Sequence, residues 1–189
     1  MAKNREEKSA MDVAAAYLAN RMRTVVEMRQ HLKDKEFSED EIDETVNDLI
    51  GLRYLDDYAY ALRYYEYNTA KHRGSNRAMR ELEEKGVDKQ TIKFAFEDYV
   101  YESKLDEYKM ALEIARKEVT GSGACKTIDG GHPDGTAEYD EADAAECCGV
   151  IDDKLIAKVA RKLESRGFKH DDIYKVLSEM RRWDNKEYN

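Results

Sequence analysis

Leu82-Glu83-Glu84-Lys85-Gly86-Val87 is the stretch that decides the fold, because it occurs three times. Fifty residues earlier stands Leu32-Lys33-Asp34-Lys35-Glu36-Phe37, and eighty-one residues later Leu163-Glu164-Ser165-Arg166-Gly167-Phe168. Ile42, Ile92 and Ile173 follow each copy at one spacing, with Val46, Phe96 and Leu177 four residues further on. Met28, Ala78 and Val159 stand four residues before each Leu. Self-similarity of this kind marks a repeat architecture.

Each copy reads as helix, turn, helix. Val25, Met28 and Leu32 fall on one helical face. Thr24 and Glu27 make a capping box at its start, and Ser38 and Glu41 make another before the next helix. Lys35 places a cation in the last turn, where the helix dipole favours it. Gly86 and Gly167 occupy the position after the helix, where glycine takes the left-handed conformation cheaply. Glu36 departs from that rule at a cost. Phe37, Val87 and Phe168 then fold back as the apolar contact that follows such a cap.

Ile42, Val46, Leu49 and Ile50 form the apolar face of the following helix. Ile92, Ala95, Phe96 and Tyr99 repeat it, as do Ile173, Val176, Leu177 and Met180. A further helix precedes each pair, over 10–22, 57–71 and 103–118. The expected architecture is all-α, with three tandem three-helix repeats over 1–54, 55–102 and 103–189. One unit buries too little surface alone, so stacked neighbours supply the remainder.

Composition supports the helical reading. The 189 residues hold one proline, where average usage of ~5% would give about nine. The charged share is 39%, against a usual ~25%, which suits thin helical layers with much solvated surface. No apolar run approaches the ~20 residues of a membrane-spanning helix. The charged start MAKNREEKSAMD has no apolar core, so no signal peptide is expected. Three cysteines, an odd number, fit a reducing cytoplasm.

The net charge of −9 is concentrated. Residues 119–152 hold eight acids and one base, Lys126, along with six of the ten glycines and the only proline, Pro133. This stretch is expected to be a flexible acidic insertion inside the third repeat, between its first and second helices. Its Cys125, His132, Cys147 and Cys148 are poorly spaced for zinc, since no C-x2-C pair is present. Free thiols are the expectation, with no metal or other cofactor.

The second helix of each repeat is basic. Residues 21–35 carry Arg21, Arg23, Arg29, Lys33 and Lys35 against Glu27 and Asp34. Lys71, Arg73, Arg77 and Arg80 meet no acid within 71–80. Residues 154–169 carry Lys154, Lys158, Arg161, Lys162, Arg166 and Lys169 against Glu164. The third helix of the first repeat is the reverse, with Glu39, Asp40, Glu41, Asp43, Glu44 and Asp48. Two readings stand here. The bases either face phosphates or an acidic partner groove, or they pair across neighbouring helices as ordinary solvated faces. The candidate contact residues are Lys71, Arg73, Arg77, Arg80, Lys158, Arg161 and Lys162.

Tyr58, Tyr60, Tyr64, Tyr65 and Tyr67 crowd one helix and circle it, which favours packing over base stacking. Asp56 and Asp57 precede that helix and read as an N-cap. No nucleophile–base constellation or nucleotide-binding loop is present, so the chain is not expected to be an enzyme.

The ordered set of motifs resembles the RecX family of bacterial regulators of the RecA recombinase. The residues carrying the resemblance are Ala16-Tyr17-Leu18-Ala19-Asn20-Arg21 with Thr24, Glu27, Met28, Arg29 and Leu32, then Leu52-x-Tyr54-Leu55-Asp56-Asp57-x-Ala59-Tyr60-Ala61. Arg73-Gly74-x-x-Arg77, Glu81-Leu82-x-x-Lys85-Gly86-Val87 and Leu163-x-x-Arg166-Gly167-Phe168 complete it. The resemblance implies an elongated, curved molecule that binds RecA–single-stranded-DNA filaments. It further implies that the chain modulates recombination and repair, chiefly by inhibition, as a cytoplasmic monomer without membrane contact. Expected departures from the family are the acidic insertion and the lack of the long N-terminal extension that some members carry. Other functional classes are a free helix-turn-helix DNA binder, which the net −9 disfavours, and a helical-repeat protein scaffold.

Overall fold

The computed structural model describes residues 8–121 and 151–185. Among them are nine α-helices and no strand: α1 (Ala10–Leu18), α2 (Val25–Lys33), α3 (Glu39–Gly51), α4 (Asp57–Ala70), α5 (Ser75–Glu84), α6 (Lys89–Ser103), α7 (Glu107–Gly121), α8 (Asp153–Arg166) and α9 (His170–Asn185). The all-α expectation holds. No described helix is long and apolar enough to cross a membrane.

The helix starts follow capping chemistry. Ser9 with Asp12, Thr24 with Glu27, and Ser38 with Glu41 form reciprocal capping boxes. Asp56, Asp88 and Asp152 accept first-turn N–H groups of α4, α6 and α8.

The helix ends follow one motif. The Leu32, Leu82 and Leu163 carbonyls accept the N–H of Phe37, Val87 and Phe168 at 3.4, 3.1 and 3.2 Å. The intervening Glu36, Gly86 and Gly167 take φ of 65°, 80° and 80°. This is the Schellman closure, and Glu36 adopts it despite its side chain. The same leucine both closes the turn and fills the core, since all three leucines are fully buried.

Three apolar clusters result. Met28, Leu32, Ile42, Val46 and Leu49 lead the first, which also buries Leu55. Tyr65, Ala78, Leu82, Val87 and Ile92 lead the second. Ile114, Val159, Leu163, Phe168, Ile173 and Met180 lead the third. By chain packing there are two compact units. The first joins residues up to Lys71 with Arg77–Leu105, and the second joins His72–Asn76 with the residues from Asp106 onward.

Several element bounds differ from the sequence reading. Helix α1 stops at Leu18, four residues short of the expected 22. Helix α7 starts at Glu107 rather than 103, because α6 continues to Ser103. The turn there passes through Lys104 at φ 50°, just as Arg53 at φ 60° ends the α3 connection. A left-handed basic residue gives no glycine signal, so the break was hidden. The two ends of the expected insertion 119–152 belong to helices: α7 runs to Gly121 with Val119 buried, while Ile151 is buried and Asp152 caps α8, and the stretch between lies outside the described residues. Cys125, His132, Cys147 and Cys148 lie outside the described residues.

Candidate functional site

In the first unit, α5 turns Ala78 and Leu82 inward and Arg80 outward. Arg77 Nε lies 2.8 Å from Glu81 Oε1 one turn on. Exposed Lys71 ends α4 with its ammonium 4.4 Å over the Tyr67 ring. In the second unit, half-buried Arg73 lies in the loop before α5. Helix α8 buries Val159 and Leu163, which leaves Lys158, Arg161 and Lys162 on its outer side. The structure brings Lys158 and Lys162 together on one carboxylate. Lys158 Nζ stands 3.1 Å from one Glu118 oxygen, and Lys162 hydrogen-bonds to the other. Those bonds, Lys162 first, hold the Glu118 carboxyl below its ordinary range. Two ammonium groups share one carboxylate, so positive charge remains, and exposed Arg161 adds to it.

Acid pairing of the bases occurs in every repeat. In the first repeat two of them meet carboxylates of α3. Arg29 meets Asp43 at 2.5 Å and Lys33 meets Glu39 at 2.9 Å, so acidic α3 partly neutralises basic α2. Arg23 stacks 3.8 Å over Tyr17, whose ring also stacks on His31. In the later repeats Arg80 and Arg161 face solvent.

The tyrosines mostly pack. Tyr65 is 2% exposed, donates to the Ile92 carbonyl, stacks on Tyr99 and meets Phe96 at a tilt. Tyr64 donates to Glu81 and stacks on Tyr60. Tyr58 and Tyr67 sit at the exposed rim.

Sequence reasoning missed a recurring junction. Asp56 caps α4 as expected, but Asp57 reaches elsewhere and accepts the Val25 N–H at 2.9 Å. Fifty residues on, Glu107 accepts the Ser75 N–H at 2.6 Å. Beside the first pair, Thr24 Oγ1 donates to the Lys85 carbonyl at 2.8 Å. Beside the second, the Gly74 N–H donates to the Arg166 carbonyl at 2.9 Å. An acid at the start of one helix therefore satisfies an orphan N–H of an earlier helix. The available signal was Leu55-Asp56-Asp57 echoed by Leu105-Asp106-Glu107. Among the described residues no cluster of His, Cys, Asp and Glu is placed to hold a metal.

The chain is similar to known proteins. A family model described as "RecX, first three-helix domain" matches residues 10–49. The regulatory protein RecX of Halalkalibacterium halodurans is 35% identical over 109 residues, 57% of this chain and 41% of its own. Over these stretches the chain is similar to the RecX family.

Regulatory protein RecX of Bacillus subtilis is 34% identical over 103 residues, 54% of this chain and 39% of the relative. The chain spans about two fifths of the length of these RecX relatives. The crystal structure of RecX from Lactobacillus salivarius superposes with a TM-score of 0.67 at 20% identity, covering 92% of this chain and 95% of that one. A second RecX crystal structure gives 0.63 at 20% identity, with 90% and 71% covered. These likenesses extend the RecX fold over nearly all of the chain.

Proposed function

We propose that this chain is a regulator of RecA-type recombinases that acts by binding the recombinase–single-stranded-DNA filament and inhibiting its activity. The observation that carries the reading is the RecX match itself, since its relatives are named regulatory proteins. The exposed bases of the later repeats support it. Arg80 in the first unit, and Arg161 with the Lys158–Lys162 pair in the second, offer cations to a phosphate-bearing filament, and Lys71, Arg73 and Arg77 are further candidates. Acting on such a filament would be a cytoplasmic role.

The test is charge reversal at exposed positions. Arg80→Glu with Arg161→Glu weakens filament binding at least ~tenfold and steepens its loss with salt less than in the parent chain, because phosphate contacts release counterions. Unchanged binding by a folded double variant removes these residues from the contact surface.

A further inference from the structure

The first unit carries a second surface of opposite charge. A groove opens between the starts of α2, α4 and α6 and the end of α3, lined by Val25, Ile50, Leu55, Tyr58 and Thr91 with Arg53, Asp56 and Asp57. Ile50 and Tyr58 are 44% and 36% exposed, which is high for apolar side chains at a groove. Tyr58 donates its hydroxyl to Asp98 on α6, and the Asp56 and Glu102 carboxylates stand close enough to raise its pKa further. Phe94 and Tyr101, 50% and 86% exposed, continue along the same side of α6. Arg53 is the one cation among the residues lining the groove.

The surface therefore combines solvent-facing aromatic rings with an excess of carboxylates. Phosphates are repelled there. A basic polypeptide is attracted, because an Arg or Lys brings an apolar stem for the groove and a cationic head for the rings and carboxylates. Burial, followed by the charges of Asp56 and Glu27, holds the Asp57 carboxyl above the ordinary range despite the Val25 N–H it accepts.

We propose that this groove is a docking site for a basic, apolar-flanked segment of a protein partner, distinct from the basic surfaces assigned to the filament's phosphates. The proposal does not rest on the filament reading. Its partner class follows from charge and aromatic exposure within one unit.

The experiment uses the whole chain and a fluorescein-labelled twelve-residue peptide alternating Arg and Leu, followed by fluorescence anisotropy. A control peptide replaces every Arg with Glu. The Arg peptide binds and the Glu peptide does not. Asp98→Lys with Glu102→Lys, both on exposed positions, lowers affinity at least ~tenfold, as the loss of two charge contacts beside an aromatic rim requires. Asp40→Lys with Glu44→Lys on exposed α3 makes the same charge change away from the groove and leaves binding within ~twofold, since like charges beyond a Debye length are screened. Equal loss in both double variants, or none in the first, overturns the proposal as general electrostatics. Concentration-dependent dimers that vanish in the Asp98→Lys, Glu102→Lys chain overturn it in favour of a second copy as occupant. Thermal unfolding of each variant confirms that the fold is intact.

Discussion

Glu36, Gly86 and Gly167 occupy equivalent turns with nearly the same positive φ, yet their side chains differ. A left-handed L-residue pays ~1–2 kcal/mol that glycine avoids. Glu36 is exposed, so its side chain offers little in return. Glu36→Gly is expected to stabilise the chain by up to about 1 kcal/mol, after the greater unfolded-state freedom of glycine is allowed for. Urea unfolding measures it as a higher midpoint at unchanged slope. Gly86→Ala acts in the opposite direction. It meets the positive φ, and its Cβ would stand 2.6 Å from the Val26 Cβ. A loss of at least about 1 kcal/mol is expected, read in the same unfolding experiment. Gly74 has a different constraint, since a Cβ there would press on the Gly167 carbonyl oxygen. The glycine turns were legible in the sequence because a C-terminal cap is a signal of six consecutive residues. Arg53 and Lys104 were not, because nothing in a basic side chain announces a left-handed turn.

At the scale of elements, helix existence could be read from periodicity and N-caps, whose partners lie three residues apart. The junctions could not. Thr24 meets Lys85 across 61 residues and Asp57 meets Val25 across 32, and only the folded chain brings them together. Asp57→Ala is expected to destabilise by about 1 kcal/mol, the usual magnitude for a lost cap. The charged residues show the same division between local and long-range information. The basic character of α8 was plain, but Glu118 on α7, which joins Lys158 and Lys162, was not singled out. Its carboxyl is held below the ordinary Glu value. A depressed folded value means the stabilisation is present above the unfolded value near 4.5 and is lost as pH falls through the folded one. The parent chain therefore loses more stability than Glu118→Gln between neutral pH and pH 3, as thermal unfolding across that range measures. Equal slopes would show that the pair contributes nothing. Lys158 is 56% exposed at its side chain, so the difference is expected to be small.

For the molecule as a whole, the net charge of −9 conceals surfaces of both signs. Residues 119–152 hold most of the acidic excess, and the described helices are closer to neutral. Acidic α3 offsets basic α2, whereas α5 and α8 keep exposed cations at Arg80 and Arg161. The fold class was readable because three copies of one pattern reinforce each other, and RecX structures share it over 92% of the chain. The contact surface was readable only as a set of candidates, since pairing depends on which helices become neighbours. The proposed function is regulation of a recombinase filament. The most direct measurement adds the chain at one molecule per recombinase protomer to preformed filaments on single-stranded DNA and follows DNA-dependent ATP hydrolysis and strand exchange. Both rates falling with added chain is the predicted result, and unchanged rates at stoichiometric and higher concentrations would contradict it.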